Sequence, residues 1–229
     1  GAVIDIKAIP DCTAIGEEGE RFYFGSAVSL GAIEQSGLFP LLGRTGARIA
    51  DHTMQQRITL GGNLAGTIRY RECVLSLLLA DAGMTVFTND GAQSVSIHQI
   101  FSGRLDLPTG ALLTGCSVSR EFARARYGHV KKTKNEKIDY PIATVCALET
   151  DGYLRFAVSG VHENPFRDVA LEEILNDTRT VPRLRADKIV EELRPGAVSD
   201  VYGSSEYRLF AFKRAIMEIF AMEREGAMV

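Results

Sequence analysis

Apolar and polar residues alternate along several short stretches of the first half of the chain. Alternation with a period of two is typical of strands, and apolar residues three and four apart are typical of helices. The pattern predicts strands at residues 2–6, 21–27, 85–88, 95–97 and 111–118. It predicts helices at residues 29–35, 41–50 and 72–82. Strands and helices mixed in this way indicate an α+β fold.

The second half of the chain has a different organisation. Strands are predicted at residues 127–133, 142–149 and 153–161, with Asp151-Gly152 as a tight turn between the last two. Helices follow at residues 168–176, 185–192 and 204–222. This order predicts a three-stranded antiparallel sheet followed by a three-helix bundle. Helical spacing in the last helix predicts an apolar core stripe of Tyr207, Phe210, Ala211, Ile216 and Phe220.

Charge and hydropathy argue against two classes of protein, those that bind nucleic acid and those that span a membrane. The 229 residues include 26 basic and 29 acidic side chains, for a net charge of −3. This balance argues against a nucleic-acid partner, which requires a concentrated basic surface. Residues 74–80 form the longest apolar run, far short of the roughly 18 residues of a membrane span. The N-terminus lacks the pattern of a signal peptide. We therefore expect a cytoplasmic protein.

Cysteine and histidine spacing predicts no metal site in this chain. Four cysteines are scattered without a C-x-x-C pair, which is typical of reduced, mostly buried thiols. The four histidines have no partner at ligand spacing. Neither a G-x-S-x-G elbow nor a G-x-G-x-x-G fingerprint is present. We predict no catalytic residue within the chain.

A pair of adjacent glycines marks the strongest candidate for a binding site. The segment contains Thr59, Leu60, Gly61, Gly62 and Asn63, with apolar residues on both sides. Glycine lets a ligand approach the backbone closely, and successive amide groups in such a turn can converge on an anion. The alternative interpretation is a tight turn between two apolar elements.

The glycine segment also resembles a motif of a known family, the FAD-binding (medium) subunit of molybdenum hydroxylases. That family includes xanthine dehydrogenase, nicotinate dehydrogenase and aerobic carbon monoxide dehydrogenase. Further segments resemble motifs of the family in the same order along the chain. Val3-Ile4-Asp5-Ile6 resembles the family's "V-D-I" strand, and Phe24-Gly25-Ser26 resembles the start of its "I-G-A-x-T" motif. Leu77-Leu78-Leu79 resembles the helix after the glycines, and Ser204-Ser205-Glu206-Tyr207-Arg208 resembles the "A-S-x-x-Y-R" start of the last helix.

The resemblance implies a domain organisation. Residues 1–122 are expected to form an FAD-binding domain of the vanillyl-alcohol-oxidase/p-cresol-methylhydroxylase type, a mixed sheet with helices. Residues 123–229 are expected to form the C-terminal domain of the flavoprotein subunit. The family's first glycine loop, of the type A-G-G-T, does not occur in the sequence. We expect this loop to be missing from the chain or to be supplied by another chain.

The resemblance also implies roles for individual residues. Residues 59–63 would contact the FAD pyrophosphate. Glu72 would lie near the adenosine ribose, or else serve as a first-turn helix acid. Ile49 and Leu112 would pack against the flavin or adenine rings, or else belong to the core. Lys131 would lie near the flavin ring, or else belong to a solvated cluster of Lys131, Lys132, Lys134 and Lys137.

The function implied by the resemblance is electron transfer. A molybdopterin-binding large subunit would oxidise a purine or another N-heterocycle. A small subunit with 2Fe-2S clusters would pass the electrons to FAD in this chain, and NAD or another acceptor would receive them. Two alternatives are a flavin-free scaffold of the same fold and a reductase of a sugar-nucleotide enoyl ether.

Overall fold

Two compact units make up the structure. The computed structural model describes residues 3–135 and 138–229. The first unit comprises Gly1–Thr67 and Ala80–Arg124, and the second comprises Ile68–Leu79 and Ala125–Val229. The segment 68–79 therefore belongs to the second unit, although the chain on both sides of it belongs to the first. The division into domains at residues 122 and 123 stays a prediction, since compact units and domains need not coincide.

An antiparallel sheet with the strand order β1-β2-β5-β3-β4 forms the centre of the first unit. The strands are β1 (Ile15–Glu18), β2 (Arg21–Gly25), β3 (Gly83–Thr88), β4 (Gly91–Ser96) and β5 (Leu112–Ser119). The helices of this unit are α1 (Pro10–Thr13), α2 (Leu30–Ser36), α3 (Pro40–Gly46), α4 (His52–Gln55), α5 (Leu60–Ala65), α7 (Ile97–Ile100) and α8 (Arg120–Arg124). Buried side chains from strands and helices together form its core.

Local sequence signals explain where the first helices begin. The Ser29 hydroxyl accepts a hydrogen bond from the amide of Ala32 at 3.2 Å, which caps α2 as its sequence predicts. Helix α3 begins at Pro40, whose fixed φ and missing amide hydrogen suit the first helical position. It ends at Gly46, four residues before the predicted end.

The predicted strand at residues 2–6 is wrong where the structure describes it. Val3–Ile6 form no strand, and the side chains of Val3 and Ile4 are exposed; Ala2 lies outside the described residues. Alternation alone does not make a strand, because a strand needs a neighbour for its backbone hydrogen bonds. Strand β1 was not predicted, since Glu17 and Glu18 have the composition of a turn although they pair with β2.

The second unit contains another antiparallel sheet, with the order β6-β7-β8-β9. Its strands are β6 (Tyr127–Thr133), β7 (Pro141–Thr150), β8 (Tyr153–Ser159) and β9 (Phe166–Arg167). The first three confirm the predicted meander. The sheet has one strand more than predicted, because the two residues of β9 are too few to show alternation. The helices of this unit are α6 (Cys73–Leu79), α9 (Val169–Leu175), α10 (Pro182–Leu193) and α11 (Ser205–Arg224), with a 3-10 turn at Arg194–Gly196.

The long helix α11 packs against β6 and β7 and contributes much of the core of the second unit. Leu209, Phe212, Ile216 and Ile219 are buried and follow the three- and four-residue spacing of one helix face. The predicted stripe is wrong at two positions that lie off this face. Tyr207 is 43% exposed and Phe210 is 59% exposed.

A fully buried arginine joins the start of α11 to strand β7 and to the residue that follows β8. The Arg208 guanidinium donates to the carbonyl oxygens of Ile142 at 3.2 Å and Gly160 at 2.7 Å. It also donates to the Asp200 carboxylate at 2.6 Å. Burial alone would raise the pKa of the Asp200 carboxyl, but hydrogen bonds from Arg208 and neighbouring amides lower it below the usual value. This arginine therefore holds three separate chain segments together.

We expect the Arg208→Met substitution to destabilise the second unit strongly, because it leaves two carbonyls and a partly buried carboxylate without this donor. Breaking a buried pair costs about 3–5 kcal/mol, which corresponds to a fall in Tm of roughly 6 °C or more for a chain of this size. Thermal unfolding followed by circular dichroism measures the change. The exposed Arg214→Met on the same helix is the control, and equal Tm values for the two variants would contradict the assigned role.

Candidate functional site

A groove of about 400 Å³ lies in the first unit beside the paired glycines. One end is formed by the small or polar residues Ser26, Thr59, Gly61 and Gly62. The rest of its surface is apolar and comes from Ile6, Ala65, Leu105, Leu107, Ala111, Leu112 and Leu113. A ligand with a polar group at one end and a flat apolar ring at the other fits such a surface.

The glycine segment is the first turn of helix α5. Thr59 is its N-cap, and the Thr59 hydroxyl accepts from the amide of Gly62 at 3.1 Å. The amides of Leu60 and Gly61 donate to the carbonyls of Val28 at 2.9 Å and Ser26 at 2.7 Å. The expected cradle of free amides is therefore not formed, because each of these donors already has an acceptor within the protein. A contact of Thr59–Asn63 with a cofactor stays a prediction.

The two glycines serve close packing of the backbone. A Cβ on Gly61 would lie 2.8 Å from the Ser26 Cβ and 2.9 Å from the Ser26 carbonyl oxygen, closer than real side chains approach. A Cβ on Gly62 would meet only the Thr59 hydroxyl, at 3.0 Å. Gly61 is thus required for α5 to approach the end of β2, whereas Gly62 leaves the end of the groove unobstructed.

Ser26 is a site residue that the sequence analysis did not single out. It is 3% exposed, it lines the groove, and its hydroxyl oxygen has no hydrogen-bond partner among the residues that the structure describes. A buried hydroxyl without a partner is costly and uncommon. The signal was available in Phe24-Gly25-Ser26, where the similar family motif has alanine at the third position.

The other predicted residues of the first unit lie at different distances from the groove surface. Leu112 lines it, as a residue that packs against a ring would. Ile49 is half-buried after the end of α3 and is not a lining residue. Leu60 and Asn63 are buried in α5 behind the groove surface. The structure thus brings Thr59, Gly61, Gly62 and Leu112 together at one surface.

Glu72 and Lys131 form a buried ion pair in the second unit. The Lys131 ammonium lies 2.7 Å from the Glu72 carboxylate, and both side chains are 2% exposed. The second carboxylate oxygen accepts from the Thr144 hydroxyl at 2.6 Å. Lys131 therefore does not belong to a solvated charge cluster; Lys137 lies outside the described residues. The ribose role of Glu72 and the flavin role of Lys131 stay predictions, and in this geometry the two groups neutralise each other.

Other kinds of site find no support in the described part of the chain. No group of three or more His, Cys, Asp or Glu residues is placed to hold a metal ion there. The four cysteines are free and buried, and burial raises the pKa of the Cys116 thiol to about 12. Across residues 3–135 and 138–229, every helix is too short or too polar to cross a membrane.

Comparison with known proteins identifies the family. The family described as "FAD binding domain in molybdopterin dehydrogenase" matches residues 1–118, which is just over half of the chain. The chain belongs to this family. It is thus an FAD-binding subunit of a molybdenum hydroxylase family member and an oxidoreductase subunit.

Individual relatives agree with the family assignment. The chain is 26% identical over 218 residues to the nicotine 6-hydroxylase medium subunit of Paenarthrobacter nicotinovorans, covering 90% of this chain and 76% of that one. Quinoline 2-oxidoreductase from Pseudomonas putida 86 has a TM-score of 0.83 at 21% identity, over 98% of this chain and 82% of that one. Carbon monoxide dehydrogenase from Hydrogenophaga pseudoflava has a TM-score of 0.81 at 21% identity, over 95% of this chain and 81% of that one. These structures confirm the expected α+β fold.

We expect Gly61→Ala to lower the stability of the first unit and Gly62→Ala to leave it nearly unchanged. The first substitution forces α5 away from Ser26, whereas the second requires only a slight shift of the Thr59 hydroxyl and gains helix propensity. A core overpacking cost of about 1–3 kcal/mol corresponds to roughly 2–12 °C in Tm. Calorimetry of the two variants distinguishes them, and equal stabilities would contradict the close-approach explanation.

The ion pair of the second unit gives a separate prediction. Glu72→Gln leaves the Lys131 ammonium buried without a carboxylate, which we expect to cost about 3–5 kcal/mol of unfolding free energy. Adding Lys131→Met should recover much of the loss. Urea unfolding of the variants measures both effects. The control is Glu218→Gln, since the Lys132–Glu218 pair is far more accessible to water and should contribute less than about 1 kcal/mol. A single variant at Glu72 that is as stable as the control would contradict the buried-pair assignment.

Proposed function

We propose that this chain relays electrons through FAD from the iron–sulfur centres of a small subunit to an external acceptor such as NAD. A molybdopterin-binding large subunit would oxidise the substrate. The observation that carries the proposal is the groove of the first unit, within a chain whose family binds FAD. The medium-subunit name of the relative from Paenarthrobacter nicotinovorans supports an assembly with large and small partners.

The residues around the groove fit a flavin dinucleotide. Its apolar surface, including Leu112, suits a ring system, and its small-residue end leaves space for a bulky polar group. The Ser26 hydroxyl lacks a partner within the described residues, and the Thr59 hydroxyl accepts from Gly62, which leaves the Thr59 proton for donation. These features are expected where a hydrogen-bond acceptor binds.

When bound, FAD supplies the ability to accept and release electrons, which no side chain of this chain provides. The protein residues bind and orient it. The apolar surface would shield the bound group from water, and α5 fixes Thr59 and the backbone of Ser26 at the polar end. A place for Lys131 near the flavin ring remains part of the proposal, and its buried pairing with Glu72 would offset much of its charge there.

The substrate class is proposed from the relatives. Two of them are named for the N-heterocyclic compounds nicotine and quinoline, which favours an N-heterocycle as the substrate of the assembled enzyme. The carbon monoxide dehydrogenase likeness makes carbon monoxide the other substrate to test. A purine remains one member of the N-heterocycle class. A cytoplasmic location for the enzyme stays a prediction.

The test is a spectroscopic titration of the protein purified together with its large and small subunits. We expect a flavin spectrum that is bleached by nicotine, quinoline or xanthine and restored by NAD⁺ or by another acceptor. The chain purified alone should keep its flavin but should not be bleached by these substrates. A complex whose flavin is not reduced by any substrate of these classes would contradict the relay. A complex without flavin would favour the scaffold alternative.

A further inference from the structure

We infer that the Ser26 hydroxyl is a phosphate-binding donor of the groove, which contacts a pyrophosphate oxygen of the dinucleotide. The inference rests on the proposed function and adds a specific residue to it. Three observations of the first unit carry it: the position of Ser26 in the groove, the fixed backbone on both sides of it, and the absence of any hydrogen-bond partner for its hydroxyl among the described residues.

The backbone of Ser26 is held between a strand and a helix. Its amide donates to the Thr114 carbonyl of β5 at 2.8 Å, and its carbonyl accepts from the Gly61 amide of α5 at 2.7 Å. Because the backbone is fixed on both sides, the only soft motion of the hydroxyl is rotation about the Cα–Cβ bond. Ser26 lines the groove while its hydroxyl oxygen is itself buried, so this rotation is what would turn the hydroxyl toward a ligand.

The chemistry at this end of the groove favours a group that accepts hydrogen bonds. The backbone amides of Leu60, Gly61 and Gly62 already have acceptors, so they contribute little to a ligand. The hydroxyl protons of Ser26 and Thr59 are the donors left. Among the lining residues that the structure describes, none has a carboxylate or amide side chain that would accept from a ligand. A phosphate, which presents oxygen acceptors, satisfies this set best.

We expect Ser26→Ala to lower the affinity for FAD without lowering the stability of the ligand-free protein. Ser26→Ala removes a buried hydroxyl that has no partner, so the ligand-free protein should be as stable as the parent or more stable. The same variant loses a hydrogen bond to the phosphate. Its affinity for FAD should therefore fall about ten- to a hundredfold, the usual effect of one hydrogen bond to a charged group. A side chain with a merely structural role would not separate the two effects in this way.

A matched control exists in the same unit. The Ser36 hydroxyl is partly buried, but it donates to the Ile33 carbonyl at 2.7 Å and does not line the groove. Ser36→Ala should lower the Tm of the ligand-free protein and leave its affinity for FAD unchanged. The two serine variants thus have opposite expected profiles.

The experiment measures FAD and ADP affinity by titration of the full-length, flavin-stripped parent protein and both variants, together with their ligand-free Tm. Support requires that Ser26→Ala weakens FAD and ADP to the same extent, since ADP carries the pyrophosphate without the flavin. Unchanged FAD affinity, or weakening of FAD but not ADP, would overturn the assignment. So would a parent protein that binds FAD but not ADP. A parent that binds neither would overturn the proposed function and this inference together.

Discussion

The second unit depends on the pairing of charges that are removed from water. Glu72, Glu172 and Arg208 are each 2% exposed or less, and each has more than one hydrogen-bond partner outside its own helix or segment. The Glu172 carboxylate, for example, accepts from the Phe156 amide at 3.0 Å and the Arg167 guanidinium at 2.8 Å. An unpaired buried charge is so costly that these residues exclude arrangements in which their partners are absent. Charge thus selects which strands and helices meet, while apolar burial supplies the bulk of the driving force.

The first unit follows a different principle at its groove, where charge plays little part. No acidic or basic side chain is among the described residues that line the groove. Its shape comes from close backbone approach at Gly61 and from the N-cap at Thr59. A neutral, preorganised surface of this kind can recognise a ligand through fit and a few hydroxyl donors. The same chain therefore combines a second unit held by buried charges with a groove in the first unit that has no charged lining residue among those described.

Much of the fold follows from the sequence, because a long strand or helix with one buried and one exposed face keeps a regular spacing of apolar residues. Strand β6 and the capped helix α2 lie where the pattern predicts them. The prediction failed where contacts distant in sequence decide the outcome. Glu17 and Glu18 form a strand only because β2 is beside them. Tyr207 and Phe210 are exposed because the buried face of α11 is on another side of the helix. At the site, the glycine motif located the groove. The burial of Glu72 with Lys131 and the unpartnered Ser26 hydroxyl depend on contacts between residues far apart in sequence, which no local pattern encodes.

The segment 68–79 has a consequence for the architecture of the whole chain. It joins the second unit between two stretches of the first, so the polypeptide passes from one unit to the other three times along its length. Neither unit is a contiguous stretch of sequence. A fragment that stops at residue 124 would retain helix α6, with its apolar Leu75, Leu77 and Leu78, without the strands against which it packs. A gene fusion at that point would therefore carry an exposed apolar helix together with the groove of the first unit, and such a fragment should aggregate more readily than the whole chain.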